Sequence, residues 1–245
     1  MALFAIADLH LGFGVSKPMS VFGAHWDNHA QLIATHWQTG ITPEDTVLVP
    51  GDISWGINLE EALPDLSWLD RLPGRKILIQ GNHDYWWTSL AKVEALCQTH
   101  DLRSLHFLRN KSIMAPDGVL ICGTRGWLLP NDPDFGTADE KIYLREVGRL
   151  KLSLEDAARR RTSGQNLIAC MHYPPFDRNG APSLFTELLS AFSVDLCVYG
   201  HIHGLDQSAK RPEPSGQVRY SLVAADYLAF RPAKIFPCAG NGLVI

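Results

Sequence analysis

Short apolar runs that end abruptly in polar clusters constrain the fold of this chain more than any other sequence feature. The clearest run, at residues 76–80, is followed directly by Gly81-Asn82-His83-Asp84. This pattern predicts a buried strand that delivers an amide, an imidazole and a carboxylate into a cleft. Four similar clusters follow other apolar runs: Asp8-Leu9-His10, Gly51-Asp52, His172, and Gly200-His201-Ile202-His203.

The five clusters supply carboxylate oxygen, amide oxygen and imidazole nitrogen. These hard and borderline ligands suit a pair of divalent transition ions. Residues two apart on a strand point the same way, so an extended segment through residue 7 would let Asp8 and His10 face one ion. The residue types therefore predict a site for two metal ions.

The first third of the chain alternates between strand and helix patterns. Strands are predicted at 3–7, 46–50 and 76–80, with helices at 26–38 and 59–72 between them. This alternation favours parallel strands joined by crossover helices. Ligand sites in such sheets lie beyond the carboxyl ends of the strands, which is where the first three clusters fall.

The remaining two thirds of the chain predict a mixture of strands and helices. We expect antiparallel strands at 105–108, 112–114 and 119–122, with a turn at Pro116-Asp117-Gly118. Further helices are expected around 143–158 and at 184–192, and further strands at 166–171 and 196–199. Two antiparallel strands, at 218–227 and 233–236, are expected to close the chain. No repeat or linker interrupts this pattern, so residues 1–245 are predicted to form a single domain.

Length, charge and cysteine content narrow the class of protein. The chain has 245 residues, 46% of them hydrophobic, and a formal net charge of −4. This charge disfavours a broad basic face and hence a nucleic-acid partner. Five scattered cysteines without a CxxC pair indicate free thiols in a reducing compartment. With no signal-peptide pattern and no run long enough to span a membrane, a cytoplasmic location and no membrane partner are expected.

In this order, the five clusters resemble the signature of the calcineurin-like metallophosphoesterase superfamily. That signature reads Asp-x-His, Gly-Asp, Gly-Asn-His-Asp/Glu, His and Gly-His-x-His, and here it spans residues 8 to 203. The resemblance implies an α/β fold with mixed α+β character, built as a four-layer sandwich of two stacked mixed β-sheets flanked by helices. Segments between the clusters are similar to a small group of bacterial predicted phosphohydrolases: Lys17-Pro18-Met19, residues 51–55, residues 82–87, and residues 123–127.

The resemblance also implies roles for individual residues. Asp8, His10 and His203 would hold one metal ion, Asn82, His172 and His201 a second, and Asp52 would bridge them. The ions would be divalent or of mixed valence: manganese, iron or zinc. A hydroxide shared by the two ions would attack phosphorus. His83 would be the catalytic residue, acting as a donor to the leaving-group oxygen.

Two departures from the family pattern bear on the substrate. Trp55 replaces the second Asp of the Gly-Asp-x-x-Asp-Arg-Gly motif of protein phosphatases, and Gln80 replaces the Arg before Gly-Asn-His. A protein substrate is therefore disfavoured, and His83 lacks its usual orienting carboxylate. In addition, Ala224-Ala225-Asp226-Tyr227 takes the place of an Asn-Pro-Gly-Ser segment found in many relatives.

Three residues are candidate substrate contacts. Arg125, in a glycine-flanked loop, is expected to clamp a phosphate, with a solvated surface arginine as the alternative. Trp55 and Trp86 could stack on a base or cover an apolar leaving group, although at least half of the site-loop aromatics are expected to serve packing. Lys17 is a weaker candidate of the same kind as Arg125.

The sequence thus predicts a metal-dependent phosphohydrolase that acts on a phosphomonoester or phosphodiester of a small molecule, such as a nucleotide. One alternative is a nuclease of the same superfamily, which would show salt-sensitive binding to single-stranded DNA. Another is a non-catalytic metal-binding sensor, which would be inert toward phosphate esters with both metals bound. Sequence leaves the oligomeric state open.

Overall fold

Two five-stranded sheets form the centre of the structure. The structure is a computed structural model that describes residues 1–115, 118–205 and 212–235. The first sheet contains β1 (Leu3–Ala5), β2 (Thr46–Pro50), β3 (Arg75–Ile79), β4 (Leu105–Phe107) and β10 (Ala233–Ile235). Its strand order is β10-β1-β2-β3-β4. Neighbours from β1 to β4 are parallel, whereas β10 runs antiparallel to β1.

The second sheet has the same mixed character. It contains β5 (Ile113–Met114), β6 (Leu120–Thr124), β7 (Leu167–Met171), β8 (Leu196–Tyr199) and β9 (Arg219–Leu222), in that order. Strand β5 is antiparallel to β6, and the other neighbouring pairs are parallel. All five residues of both β2 and β7 are buried, as expected for central strands covered on both faces.

Five α-helices connect the parallel strands. They are α1 (His29–Gly40), α2 (Leu59–Arg71), α3 (Leu90–Thr99), α4 (Thr137–Arg160) and α5 (Leu184–Ala191). Two short 3-10 helices, Met19–Phe22 and Ala24–Trp26, precede α1. Crossover connections between parallel strands are right-handed. Helices α1 to α3 therefore cover one face of the first sheet, and α4 and α5 cover one face of the second.

The alternating side chains of β7 show how the two sheets stack. Ile168 and Cys170 belong to the same apolar core as the first sheet and helices α1 to α3. Leu167, Ala169 and Met171 point the other way, into a second core shared with α4 and α5. The layers therefore run helix, sheet, sheet, helix, which confirms the α/β sandwich of two mixed sheets.

Polar residues begin three of the helices. The side chain of Asn58 accepts a hydrogen bond from the backbone N–H of Glu61 at 3.0 Å at the start of α2. Ser89 caps α3 and Ser183 caps α5 in the same way. These caps satisfy backbone donors that lack partners within the helix.

Of the helices that the structure describes, none is both long and apolar enough to cross a membrane.

The predicted parallel order of the first three strands is confirmed, but two predicted orientations are wrong. Strand β4 is parallel to β3, and β9 is parallel to β8 and ends at Leu222 rather than continuing to residue 227. In each case the chain returns to the end of the sheet at which the preceding strand began before the next strand starts. The expected antiparallel pairing of β5 with β6 is confirmed, and β10 is antiparallel as expected, although its neighbour is β1 in the first sheet and not β9. Pro116 and Asp117 of the predicted turn, and Phe236 of the last strand, lie outside the described residues.

The cysteines in the described part of the chain agree with the expectation of free thiols. Cys97, Cys122, Cys170 and Cys197 are buried and free. Cys238 lies outside the described residues.

Candidate metal centre

The seven predicted ligands lie in segments that follow parallel strands of both sheets. The first sheet contributes Asp8 and His10 after β1, Asp52 after β2 and Asn82 after β3; the second contributes His172 after β7, and His201 and His203 after β8. Since the carboxyl ends of these strands meet at one edge, side chains distant in sequence come together. We refer to these seven residues as the candidate centre.

One group within the candidate centre contains Asp8, His10 and His203. Their ligand atoms all lie within 4.8 Å of one another. The Nε2 atoms of His10 and His203 are 3.3 Å apart, and His203 Nε2 lies 4.0 Å from Asp8 Oδ1. This is the set that the resemblance assigns to the first ion.

The second group gathers around Asn82. Its Oδ1 lies 2.6 Å from His172 Nε2 and 3.0 Å from His201 Nδ1. Asp52 reaches both groups, because its Oδ1 is 3.5 Å from His172 Nε2 while its Oδ2 is 3.8 Å from His10 Nε2. A carboxylate in this position can contact two cations with different oxygens.

The hydrogen-bond acceptors beside two imidazoles indicate that the site fits cations. His172 Nδ1 lies 2.9 Å from the carbonyl oxygen of Pro50, and His203 Nδ1 lies 3.0 Å from Asp226 Oδ1. Both oxygens are acceptors, so both Nδ1 atoms carry the proton and the Nε2 lone pairs face the centre. There they point at further lone-pair atoms, an arrangement that a positive ion between them stabilises.

Burial disfavours the charged forms of the ligands in the candidate centre. It raises the pKa of Asp8 well above its ordinary value, and the neighbouring Asp52 raises that pKa further. It also lowers the pKa of His172 to about 3 and that of His201 to about 3, so both imidazoles are neutral at neutral pH. Neutral imidazoles are ligands, and the buried carboxylates call for positive charge beside them.

Four ligands of the candidate centre have left-handed backbone conformations that non-glycine residues rarely adopt. The φ angles are 59° at Asp8, 44° at His10, 52° at Asp52 and 72° at His201. Strand β1 ends at Ala5, so Asp8 and His10 do not extend it as the two-residue alternation predicted. A turn aims them at the centre instead, held by hydrogen bonds from their N–H groups to the carbonyls of Gly51 and Asp52. Strain concentrated at one place is typical of a functional site.

Two glycines allow the carboxylates to approach the backbone closely. A Cβ atom on Gly81 would overlap the Asp52 carboxylate, and one on Gly200 would overlap that of Asp8. The oxygens thus reach backbone donors: Asp52 Oδ1 accepts from His83 N at 2.8 Å, and Asp8 Oδ2 accepts from His201 N at 3.0 Å. The close approach leaves no room for a side chain, which explains why two of the sequence clusters contain glycine at these positions.

His83 lies beside the candidate centre without belonging to either ligand group. Its ring centroid is 4.6 Å from that of Trp55 and 5.8 Å from that of His10. Trp55 also stacks on His10, at 4.8 Å and an interplanar angle of 20°. In the described part of the chain no carboxylate forms an ion pair with the His83 ring, and the indole of Trp55 packs against it.

Asp84 is a supporting residue that sequence reasoning did not single out. Its buried carboxylate accepts hydrogen bonds from the backbone N–H groups of Gly81, Ile53 and Ser54, at 2.7, 2.8 and 3.1 Å. It therefore ties the segment that carries Asn82 to the one that carries Asp52. Its position at the end of the Gly-Asn-His-Asp cluster was the available signal.

Trp86 and Trp55 offer little surface to a substrate. Trp86 is fully buried and donates its indole N–H to Asp84 Oδ1 at 3.0 Å. The predicted substrate contact by Trp86 disagrees with this position, because a fully buried ring presents no face to a ligand. Trp55 is 6% exposed, with Lys17 Nζ 3.6 Å from its ring centroid. Tyr85, at 58% exposure, is the more accessible aromatic near His83.

Arg125 is mostly buried, which contradicts the alternative of a solvated surface arginine. Its side chain is 16% exposed, and its Nη2 lies 3.7 Å from Glu146 Oε1. The guanidinium carbon lies 4.4 Å from the ring centroid of Trp127. The backbone carbonyl of Arg125 also accepts from His172 N at 3.2 Å. Arg125 thus supports a ligand segment, and its contact with a substrate phosphate stays a prediction.

Two further supporting residues lie outside the sequence clusters. Asp226 pairs with His203, and its Oδ2 accepts from Gly204 N at 2.8 Å. Tyr173 places its ring 4.1 Å from that of His201. Asp226 lies in the segment that departs from the family pattern, and that departure was the one sequence signal for it.

Comparison with known proteins gives results at three levels. Among curated proteins, the chain is 35% identical over 78 residues to the gene 66 protein of Mycobacterium phage L5, and 40% identical over 79 residues to that of Mycobacterium phage D29. The alignments cover 32% of this chain in both cases, and 37% and 38% of the phage proteins. The chain thus spans little more than a third of the curated relatives it matches.

Among solved structures, a phosphopantetheinyl hydrolase from Mycobacterium tuberculosis superposes with a TM-score of 0.55 at 15% identity, covering 98% of both chains. A protein of unknown function from Aquifex aeolicus gives a TM-score of 0.50 at 16% identity over 95% of both chains. At these identities the likeness shows a shared fold alone.

The family comparison covers most of the chain. A model of the calcineurin-like phosphoesterases matches residues 1–205, a span that includes every residue of the candidate centre. The chain belongs to the calcineurin-like phosphoesterase family.

Proposed function

We propose that this protein is a metal-dependent phosphohydrolase that cleaves a phosphomonoester or phosphodiester of a small molecule. The observation that carries the proposal is the position of Asp52, whose two oxygens face His172 in one ligand group and His10 in the other. Membership of the calcineurin-like phosphoesterase family supports the same reaction class.

In this proposal the candidate centre holds two metal ions: manganese, iron or zinc. Asp8, His10 and His203 hold one, Asn82, His172 and His201 hold the other, and Asp52 contacts both. When bound, two such cations lower the pKa of a water shared between them and neutralise charge on the phosphoryl oxygens. The ligand set is rich in neutral donors, so the loaded site keeps net positive charge that attracts a phosphate.

His83 is the proposed catalytic residue of the chain itself. Its backbone N–H is held by Asp52, and its ring packs against Trp55 without joining the ligand groups. A ring nitrogen beside the centre can donate a hydrogen bond or a proton to the oxygen of the departing alcohol. Because Trp55 rather than a carboxylate contacts the ring, His83 is positioned by packing.

The proposal is tested by a screen against phosphomonoesters, phosphodiesters and pyrophosphate, with manganese, iron and zinc supplied separately. The panel includes a phosphopantetheine ester, as suggested by the name of the M. tuberculosis neighbour. We expect metal-stimulated release of phosphate or alcohol from at least one ester.

The matched variant is Asp52→Asn, with Asp101→Asn as the control because Asp101 is exposed at the end of α3. Loss of an outer-shell partner typically costs 10–100-fold, so loss of the shared ligand should lower activity by about 100-fold or more. Full activity of Asp52→Asn would remove Asp52 from its role. Inertness of the metal-loaded protein toward the whole panel would overturn the proposed function.

A further inference from the structure

A cavity of about 810 Å³ lies beside the candidate centre. It is lined by residues from three segments, 127–134, 173–179 and 201–205, which follow strands β6, β7 and β8. His201 and His203 form part of its wall, so an ester held at the centre has this space directly beside it. Its volume falls in the range of small-molecule sites.

One wall of this cavity is aromatic and firmly held. Trp127 donates its indole N–H to Asp139 Oδ1 at 2.9 Å, and its ring lies 5.3 Å from that of Tyr173. Tyr173 in turn packs against His201, which makes the wall continuous with the ligand group. Phe176, which is buried, also lines the cavity. Such a wall suits a group with apolar surface.

Among the described residues that line the cavity, those at its rim carry more negative than positive charge. Asp132, Asp134 and Asp177 line it, opposed by Arg178. Backbone N–H groups donate to Asp177 from Ala181 and Asn179, both at 2.8 Å, and the bond from Ala181 contributes most to holding the pKa of Asp177 below its usual value.

The loops that carry this rim are joined to each other. Asn131 Nδ2 donates to Asp177 Oδ2 at 2.6 Å, and Asp132 Oδ1 accepts from Asp134 N at 3.1 Å. The acidic rim is therefore built into the cavity in a defined position.

We propose that this cavity binds the organic part of the substrate and favours an uncharged or cationic group over one that carries further phosphates. The inference rests on the proposed function and narrows its substrate class. Like charges at the rim disfavour nucleoside polyphosphates and nucleic-acid strands, because each added phosphate brings negative charge toward carboxylates. A neutral or aminated alcohol with apolar surface meets no such repulsion.

The experiment compares three phosphomonoesters of similar size: phosphocholine with a cationic group, glycerol 2-phosphate with a neutral one, and 2-phosphoglycerate with an added carboxylate. We expect kcat/KM for the first two to exceed that for 2-phosphoglycerate by at least about threefold, with most of the difference in KM. Inorganic pyrophosphate, tested as an inhibitor, supplies a second readout that does not depend on turnover.

Two rim variants should shift the kcat/KM discrimination and the pyrophosphate inhibition in opposite directions. Asp134→Lys should reduce the discrimination and strengthen pyrophosphate inhibition, whereas Arg178→Glu should increase the discrimination and weaken that inhibition. Glu44→Lys is the matched control, since Glu44 is exposed just before β2 and does not line the cavity. It should leave both readouts as in the wild type.

The outcomes separate this inference from the proposed function. Equal kcat/KM for the three esters, unchanged by both rim variants, would overturn the inference while leaving the phosphohydrolase intact. A metal-loaded protein that cleaves no ester of any class would overturn the proposed function and this inference with it.

Discussion

Asp226 Oδ1 lies 3.0 Å from His203 Nδ1, and the other oxygen of Asp226 accepts a hydrogen bond from the N–H of Gly204. The acceptor beside Nδ1 favours the tautomer with its proton there, and Nε2 of His203 faces Asp8 and His10. Carboxylates that hold metal-binding histidines in this way orient the ring and raise its basicity. Asp226 follows strand β9, so the second sheet supplies both the histidine and its support.

We predict that Asp226→Ala lowers metal affinity by about 10–100-fold, because His203 loses the partner that orients it. Asp226→Asn keeps an acceptor for Nδ1 and should lose less. Metal content after dialysis and calorimetric titration with manganese or zinc would measure the change. Glu94→Ala, at an exposed position on α3, is the control. Metal binding by Asp226→Ala equal to that of the wild type would show that His203 needs no support.

His83→Gln should separate catalysis from metal binding. His83 lies outside both ligand groups, so its replacement should leave metal content unchanged while kcat falls by about 10²–10⁴-fold. The measurement is kcat for the best ester of the screen, together with metal analysis of the same sample. His25→Gln, at an exposed histidine, should match the wild type. A loss of metal in His83→Gln would instead place this residue among the ligands.

Lys76 is a buried residue on which we predict a large effect on stability. Its Nζ donates to the backbone carbonyls of Asp70, Leu72 and Gly74 at the end of α2 and in the turn that follows. Lys76→Met leaves these carbonyls without that donor, so the free energy of unfolding should fall by about 1–3 kcal/mol. Urea denaturation would measure the difference. Lys92→Met, on the exposed face of α3, should change it little, and an equal effect of the two variants would contradict the prediction.

His106 on β4 should make stability depend on pH. Burial, with Arg75 and Lys76 nearby, lowers the pKa of His106 from 6.5 to about 4. The unfolded chain therefore binds a proton more readily than the folded protein between these values. This contribution to the free energy of unfolding is fully present above pH 6.5 and is lost as pH falls toward about 4.

The variant His106→Gln lacks this titration. Urea denaturation of both proteins at several values of pH should show that the wild type loses more stability than the variant across this window. The buried carboxylates titrate in both proteins and cancel in the difference. Parallel stability curves for the two proteins would contradict the lowered pKa.

Much of the first sheet was predictable because its signals are local. The apolar runs at Thr46–Pro50 and at Arg75–Ile79, separated by an amphipathic helix, contain enough information to predict parallel neighbours. The orientations of β4 and β9 were not predictable in the same way. These orientations depend on the end of the sheet to which the preceding connection returns. A short apolar run contains no information about that path.

In the candidate centre, some features of single residues were likewise predictable from the sequence and others were not. Asp8 and His10 lie together as predicted, yet left-handed turns and not an extended strand bring this about. Trp86 resembled a substrate contact in sequence because it follows a site cluster, but it is fully buried against Asp84. Adjacency along the chain predicts neighbourhood and does not predict which way a side chain points.

The sequence by itself determined the family, the sandwich of two mixed sheets, and the residue types gathered at the strand ends. Hydrophobic periodicity, the ends of strands and the chemistry of the ligands can each be read from short stretches of consecutive residues. Only the tertiary structure decided that Asp226 supports His203, that Trp55 packs against His83, and that an acidic cavity adjoins the candidate centre. These features are contacts between segments far apart along the chain, and they exist only once the two sheets have packed together.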